Sequence, residues 1–249
     1  MLFADYQHRY QTLKLERSTE GILQISVHTD GGPLRWGPLP HEEWPRAFHD
    51  IGSDTGNRVI ILTGTGAEFS GPRPDPASRS GRSVERMDTI IREGRRLLAN
   101  LLAIEAPMIS AINGPALRHS EIPLLSDIVL ASSNASFEDA GHFDSGLVPG
   151  DGVNIVYPAL LGLNRGRYFL LTSQRLDAQE AEQLGLVNEV LAPEALLPRA
   201  WELARQLARH PDMHLRNTRQ VLTMEIRKRI ESLLGESLLL EGLANLGRT

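Results

Sequence analysis

Cysteine is absent from this 249-residue chain. That excludes a disulfide, a thiol nucleophile and any thiolate-bound metal together. Also missing is any run of about 18 apolar residues, so no segment reads as a membrane span. The first residues, MLFADYQHRYQ, carry an acid and polar groups where a secretory leader has a basic and then an apolar stretch. A cytoplasmic protein without a membrane partner is expected. The arginines are scattered rather than gathered into a basic tract, and the net charge is −5. The chain therefore has no electrostatic reason to bind nucleic acid. No two histidines bracket a helical turn with a glutamate in the HExxH manner, so no histidine metal site is expected either. What remains is 41% apolar and 23% charged, the balance of a globular chain forming one large domain or two small ones.

Short β-branched runs recur with helical stretches between them: LKLER (13 to 17), ILQISVHT (22 to 29), RVIILTG (58 to 64), PMISAIN (107 to 113), DIVLAS (127 to 132) and LVNEVL (186 to 191). The alternation reads as an α/β fold with mostly parallel pairing through helical crossovers. Val84, Met87, Ile90, Ile91, Leu97, Leu98, Leu101 and Leu102 recur largely at three- and four-residue steps, which marks an amphipathic helix that Pro107 closes. The stretch 70 to 83, SGPRPDPASRSGRS, has the proline and glycine content of a loop and the length of a lid or pocket wall. From 193 onward the pattern is helical, so the chain divides into an α/β core (1–192) and a helical C-terminal subdomain (193–249).

Two blocks of residues carry a family resemblance. One is Ala111-Ile112-Asn113-Gly114-Pro115-Ala116-Leu117 with Leu124-Leu125-Ser126-Asp127 behind it. The other is Gly146-Leu147-Val148-Pro149-Gly150-Asp151-Gly152, with Leu176-Asp177-Ala178-Gln179-Glu180-Ala181 and Gly185-Leu186-Val187-Asn188-Glu189-Val190 following. In this order and spacing they resemble the crotonase (enoyl-CoA hydratase/isomerase) superfamily over nearly the whole chain. The resemblance implies a crotonase-like spiral core of ββα units, and a helical C-terminal part that assembles the protein as a homotrimer or a dimer of trimers. The apolar ending, with Ile230, Leu233, Leu234, Leu238, Leu239, Leu240 and Leu243, is too rich for one exposed helix.

The departures from that family carry the functional argument. Crotonases hold a thioester enolate between two backbone N–H donors. Here Pro72 stands at one of those places and has no N–H, and Arg118-His119-Ser120 replaces the glycine triplet at the other, with one residue fewer before Glu121. The catalytic glutamate that hydratases carry four residues before the Gly-Leu-x-Pro-Gly turn is His142. This pattern is similar to the β-diketone hydrolase branch, typified by 6-oxocamphor hydrolase. The resemblance implies a hydrolase that cleaves a carbon–carbon bond of a β-diketone with no cofactor. His142 would be the base, Asp151 the group that holds the other imidazole nitrogen, and His119 the donor to the ketone that becomes an enolate. The Trp36 indole N–H would be a second donor, and His41 and Glu241 match positions at the pocket edge.

Other readings stay open on the sequence. His119 could be a half-buried structural histidine, Asp151 an ordinary turn aspartate, Trp36 a cover for the core edge and Glu241 a solvated or subunit-facing acid. A drifted acyl-CoA hydratase or isomerase is one alternative function, with Glu121 its acid. A non-catalytic crotonase-like binding module is another. Convergence of His142, His119 and Asp151 on one pocket separates the last from the rest.

Overall fold

The computed structural model describes residues 1–71 and 83–247. The loop expected over 70–83 therefore lies outside the described residues except at its ends, and Pro72 with it. In chain order the strands are β1 (Leu13–Arg17), β2 (Ile22–Val27), β3 (Val59–Gly64), β4 (Met108–Ile112), β5 (Ile128–Ser132), β6 (Ser136–Phe137), β7 (Leu176–Asp177) and β8 (Glu189–Leu191). Six of them form one sheet in the order β1-β2-β3-β4-β5-β8, and β6 and β7 pair separately. The β1–β2 hairpin is antiparallel, and every later pairing in the large sheet is parallel. Each of the six runs read from the sequence supplies one strand of it.

The central strands are apolar on both faces because both faces are covered, as a parallel sheet requires. Period-two alternation sorts their side chains. Ile22, Val59, Ile61, Ile109, Ala111 and Leu130 point to one side and pack on Leu196, Ala200 and Ala204 of helix α8 (Pro193–Leu207). Leu23, Ile25, Ile60, Leu62, Met108 and Ile112 point to the other and share a core with helices α2 (Pro38–Ser53) and α3 (Val84–Ala103). The division at 193 thus runs between β8 and a helix that packs on the sheet. The short α1 (Phe3–Tyr6), α4 (Glu121–Leu124), α5 (Val153–Leu161), α6 (Leu163–Leu171) and α7 (Ala178–Gln183) complete this part of the chain.

Helix α3 covers the span that its apolar periodicity marks, and Ser83 caps it by accepting from the Arg86 N–H. Two more helices follow α8, namely α9 (Asp212–Leu222) and α10 (Met224–Leu246). They are tied to the core by Arg219, which is buried and donates to Asp127 Oδ2 at 2.8 Å and to the Ile104 carbonyl. Among the apolar residues of α10, Ile230, Leu234 and Leu238 are buried, whereas Leu233, Leu239, Leu240, Leu243 and Leu246 remain exposed. No helix among the described residues is long and apolar enough to cross a membrane.

Candidate active site

Three chain segments meet at the C-terminal side of the central strands, where open α/β sheets place their ligands. The first follows β4, where the chain turns through Asn113-Gly114-Pro115 and reaches His119, which has φ of 51°. That is left-handed backbone, which favours glycine and costs a β-carbon-bearing residue on the order of 1 kcal/mol. A histidine is held there by its surroundings. Its ring lies against Trp36 with centroids 3.9 Å apart, and its Nδ1 lies 2.9 Å from Glu121 Oε1. The second segment runs from Asp139 through His142 to the Gly146 turn. The third is Pro149-Gly150-Asp151-Gly152, which seats directly on α10. A β-carbon at Gly150 would lie 2.3 Å from the Ser237 carbonyl and 2.8 Å from the Glu241 β-carbon, so only glycine allows this approach. Gly152, with φ of 118°, then turns the chain into α5.

These segments bring His119, His142, Asp151 and Glu241 into one cluster. Asp151 Oδ2 is 3.1 Å from His119 Nδ1 and 3.5 Å from His142 Nε2, and Glu241 Oε1 is 3.7 Å from His142 Nε2. The Asp151 oxygen is close to His119 Nδ1 but makes no hydrogen bond among the described residues, since the ring nitrogen is aligned with Glu121 instead. Trp36 is 7% exposed and packs edge-on against Trp44 as well as over His119. His41 sits on α2 with Nδ1 3.2 Å from Glu93 Oε2 of α3 and its ring 5.8 Å from Trp36, at the margin of the cluster.

One expected contact is made by a different residue. His142 was expected to rest its second nitrogen on Asp151, but Nδ1 lies 2.6 Å from Asp139 Oδ1, and Asp151 faces Nε2. The physical reason is local. Ala140 and Gly141 turn the chain tightly enough that a carboxylate three residues upstream reaches back to the ring. Asp139 is therefore the residue that sequence reasoning missed. Its only signal was the Asp-Ala-Gly-His spacing.

The electrostatics divide the two histidines. Burial opposes a charge on the His142 ring but is outweighed by the Asp151 charge, the Asp139 hydrogen bond and the Glu241 carboxylate, so its pKa stands well above the ordinary imidazole value. His119 goes the other way. Burial dominates, and the positive neighbours His41, His142 and Arg118 add to it against the opposing Asp151, so its pKa is pushed down to about 3 and the ring is neutral. Burial, then Asp151, push the Glu121 carboxyl well above its ordinary range, and burial raises Glu241 as well. The site therefore rests as one imidazolium, one neutral imidazole and a set of carboxyl groups that cannot all be ionised.

Among the described residues, His119, Glu121 and Asp151 are the three ligand-type side chains whose donor atoms gather within 4.8 Å. The arrangement is suited to proton transfer and to donation toward a developing oxyanion.

This fold belongs to a known class. The family model for enoyl-CoA hydratase/isomerase matches residues 40–240, and the chain belongs to that family, an enzyme superfamily also called the crotonases. A short-chain enoyl-CoA hydratase from Clostridium acetobutylicum is 31% identical over 201 residues, which cover 78% of this chain and 74% of the hydratase. A probable enoyl-CoA hydratase from Mycobacterium bovis is 31% identical over 223 residues, covering 82% and 74%. Among solved structures, an enoyl-CoA hydratase/isomerase from Mycobacterium paratuberculosis superposes with a TM-score of 0.87 at 25% identity, covering 96% and 95% of the two chains. A β-diketone hydrolase from the cyanobacterium Anabaena sp. PCC 7120, bound to (S)-3-oxocyclohexyl acetic acid, superposes with a TM-score of 0.95 at 45% identity, covering 97% of both chains.

Proposed function

We propose that this enzyme hydrolyses a carbon–carbon bond of a β-diketone. The observation that carries the reading is the pair of histidines, one neutral at the oxyanion turn and one facing it, gathered around Asp151. The 45% identity to a β-diketone hydrolase supports the same reading. The keto acid bound to that relative is what water would give by opening a bicyclic β-diketone, so cyclic diketones are the first substrates to try.

The chemistry balances with water alone. Neutral His142 takes a proton from water on Nε2 as the water oxygen bonds to one carbonyl carbon. The tetrahedral adduct then breaks its bond to the carbon between the two ketones, and that electron pair passes into the enolate of the second carbonyl. His119, as a neutral ring, and the Trp36 indole N–H donate to the enolate oxygen. The proton on His142 finally moves to the enolate carbon, giving a carboxylic acid and a ketone, joined as a keto acid if the substrate was cyclic. Asp139, Asp151 and Glu241 stabilise the imidazolium formed midway, and no cofactor or metal is required. His41 and Glu93 frame the edge of the site.

The same electrostatics carry a cost. Carboxylates that stabilise the imidazolium also keep His142 protonated in the empty site, so the active fraction grows as pH rises toward its raised pKa. A cytoplasmic homotrimer or trimer pair, built through the exposed leucines of α10, completes the reading. Light scattering that shows only a 27.5 kDa particle at micromolar concentration counts against that assembly.

The alternative reading is an acyl-CoA hydratase or isomerase, which the names of the curated relatives favour. Incubation with cyclic and acyclic β-diketones beside crotonyl-CoA decides between them. Saturable diketone cleavage without hydration of crotonyl-CoA is the expected result. Hydration of crotonyl-CoA at an ordinary enzymatic rate would overturn the proposal.

A further inference from the structure

Glu121 is the one buried acid at this site that the reaction above leaves without a role. It opens the four-residue helix α4, and its side chain has no solvent exposure. One oxygen, Oε1, lies 2.9 Å from His119 Nδ1, and the other, Oε2, has no hydrogen-bond partner among the described residues. Its stem is set in apolar surroundings. A β-carbon at Gly152 would lie 3.7 Å from the Glu121 γ-carbon, with Leu98 Cδ1 and Leu234 Cδ1 at 2.4 and 3.9 Å.

A second carboxyl approaches the same nitrogen, Asp151 Oδ2 at 3.1 Å from Nδ1. Two buried carboxylates so close to one neutral ring cannot both carry charge without a large penalty. Asp151 is the one with cationic company, since His142 Nε2 stands 3.5 Å from it. Asp151 Oδ2 and Glu121 Oε2 both lack a hydrogen-bond partner among the described residues, but only the Asp151 oxygen has a cation beside it, so a bare charge costs more at Oε2, where a neutral carbonyl oxygen is favoured.

We propose that Glu121 is a neutral carboxylic acid that donates its proton to Nδ1 of His119 and so holds His119 in the tautomer that carries hydrogen on Nε2. The consequence for Nε2 follows from the count of ring protons. A neutral imidazole has one N–H. If Nδ1 accepts from Glu121, that N–H must be on Nε2, the nitrogen left to donate toward a substrate oxygen. Were Glu121 ionised as well as Asp151, two charged carboxylates would face Nδ1 and draw the ring proton there, leaving Nε2 an acceptor, unable to support an enolate. Glu121 is therefore a positioning residue, acting through His119, and this consequence rests on the reading of His119 as the enolate donor. The groups facing Glu121 are consistent with a retained proton. Asp151 and Asp139 raise its pKa beyond the effect of burial, while the imidazolium of His142 and the backbone at the start of α4 oppose them and do not prevail. Tyr157, whose hydroxyl is 2.6 Å from that of Ser120, is held neutral chiefly by burial, with the neighbouring carboxylates adding to it.

The test reads the proton before it reads turnover. Infrared difference spectra of the intact protein at neutral pH, wild type against Glu121→Gln, should show the carbonyl stretch of a buried carboxylic acid that the variant lacks. Nitrogen NMR of histidine-labelled protein should show the His119 hydrogen on Nε2. Absence of the acid band, or a His119 ring protonated on Nδ1, overturns the inference. Kinetics supply a second arm. Gln can donate the same bond through its carboxamide, so Glu121→Gln should stay within roughly tenfold of wild type, the scale of one neutral hydrogen bond. Glu121→Ala should lose kcat by about a hundredfold with KM little changed, as when an oxyanion donor is misdirected. Equal losses in both variants refute the neutral-donor role. If the wild type cleaves no diketone at all, the proposed function fails, and the spectroscopic arm still decides the state of Glu121.

Discussion

Replacing Asp139 by Asn removes a charge and leaves the shape. In the structure the Asp139 carboxylate is 5% exposed and sits 2.6 Å from His142 Nδ1. A bond of that length between a buried carboxylate and an imidazolium is charge-assisted, and contributes about 1.5–3 kcal/mol in favour of the protonated ring. Two consequences follow with opposite visibility. With the charge gone, His142 binds its proton less tightly, so the pH at which kcat/KM rises should move down toward the ordinary imidazole range. The imidazolium formed during the reaction also loses its support, and an Asn side chain can donate to Nδ1 and place the only ring hydrogen on Nε2, where the water proton must go. The maximal rate should therefore fall by on the order of a hundredfold, with up to about ten-thousandfold if the wrong tautomer prevails. The assay is the disappearance of a cyclic β-diketone across a pH series, in wild type and variant, with kcat and KM fitted separately. An unmoved pH midpoint together with a near-native rate would refute the reasoning, because His142 would then be neither held by Asp139 nor the base.

The other substitutions discriminate among roles. His142→Ala should lower kcat by about a hundred- to ten-thousandfold, the usual range for a lost general base, and a near-native rate in diketone hydrolysis would remove it from the mechanism. His119→Ala should cost on the order of 3 kcal/mol of transition-state stabilisation, appearing in kcat more than in KM; a change confined to KM would make it a binding residue only. Glu121→Gln should change the pH dependence of stability. A carboxyl raised above its ordinary value of about 4.5 contributes stability below that value and loses it as pH rises through the raised one. Relative to wild type, the non-titrating variant should therefore gain in thermal midpoint from mildly acidic to alkaline pH, and a constant difference would contradict the raised value. Gly152→Ala should destabilise the fold by about 1–3 kcal/mol, because φ is 118° and the new β-carbon would lie 2.4 Å from Leu98 Cδ1; an unchanged melting temperature would contradict that packing.

Much of the architecture was legible in the chain because its signals are local. Each β-branched run became a strand, and the spacing of Val84 to Leu102 became α3, since side-chain periodicity reports directly on which faces are buried. The family resemblance and the departures from it pointed to His119, His142, Asp151 and Glu241, and in the structure Asp151 Oδ2 lies 3.1 Å from His119 and 3.5 Å from His142, with Glu241 3.7 Å from His142. Trp36 could be named as a candidate donor, but its stacking on His119 could not, because the two are remote in the chain and only the sheet brings them together. Asp139 went unread because an acid three residues before a histidine is common, and whether it reaches the ring depends on the turn at Ala140-Gly141. The likeness of the two histidines was also misleading. As sequence they are the same side chain with the same ordinary pKa, whereas the fold surrounds one with carboxylates and leaves the other neutral under Trp36. Residue identity and spacing determined the sheet, the helices and the candidate list. Which carboxyl keeps its proton, which nitrogen each acid touches and which histidine is charged were decided by tertiary structure alone, because burial and the distances between remote segments set those balances.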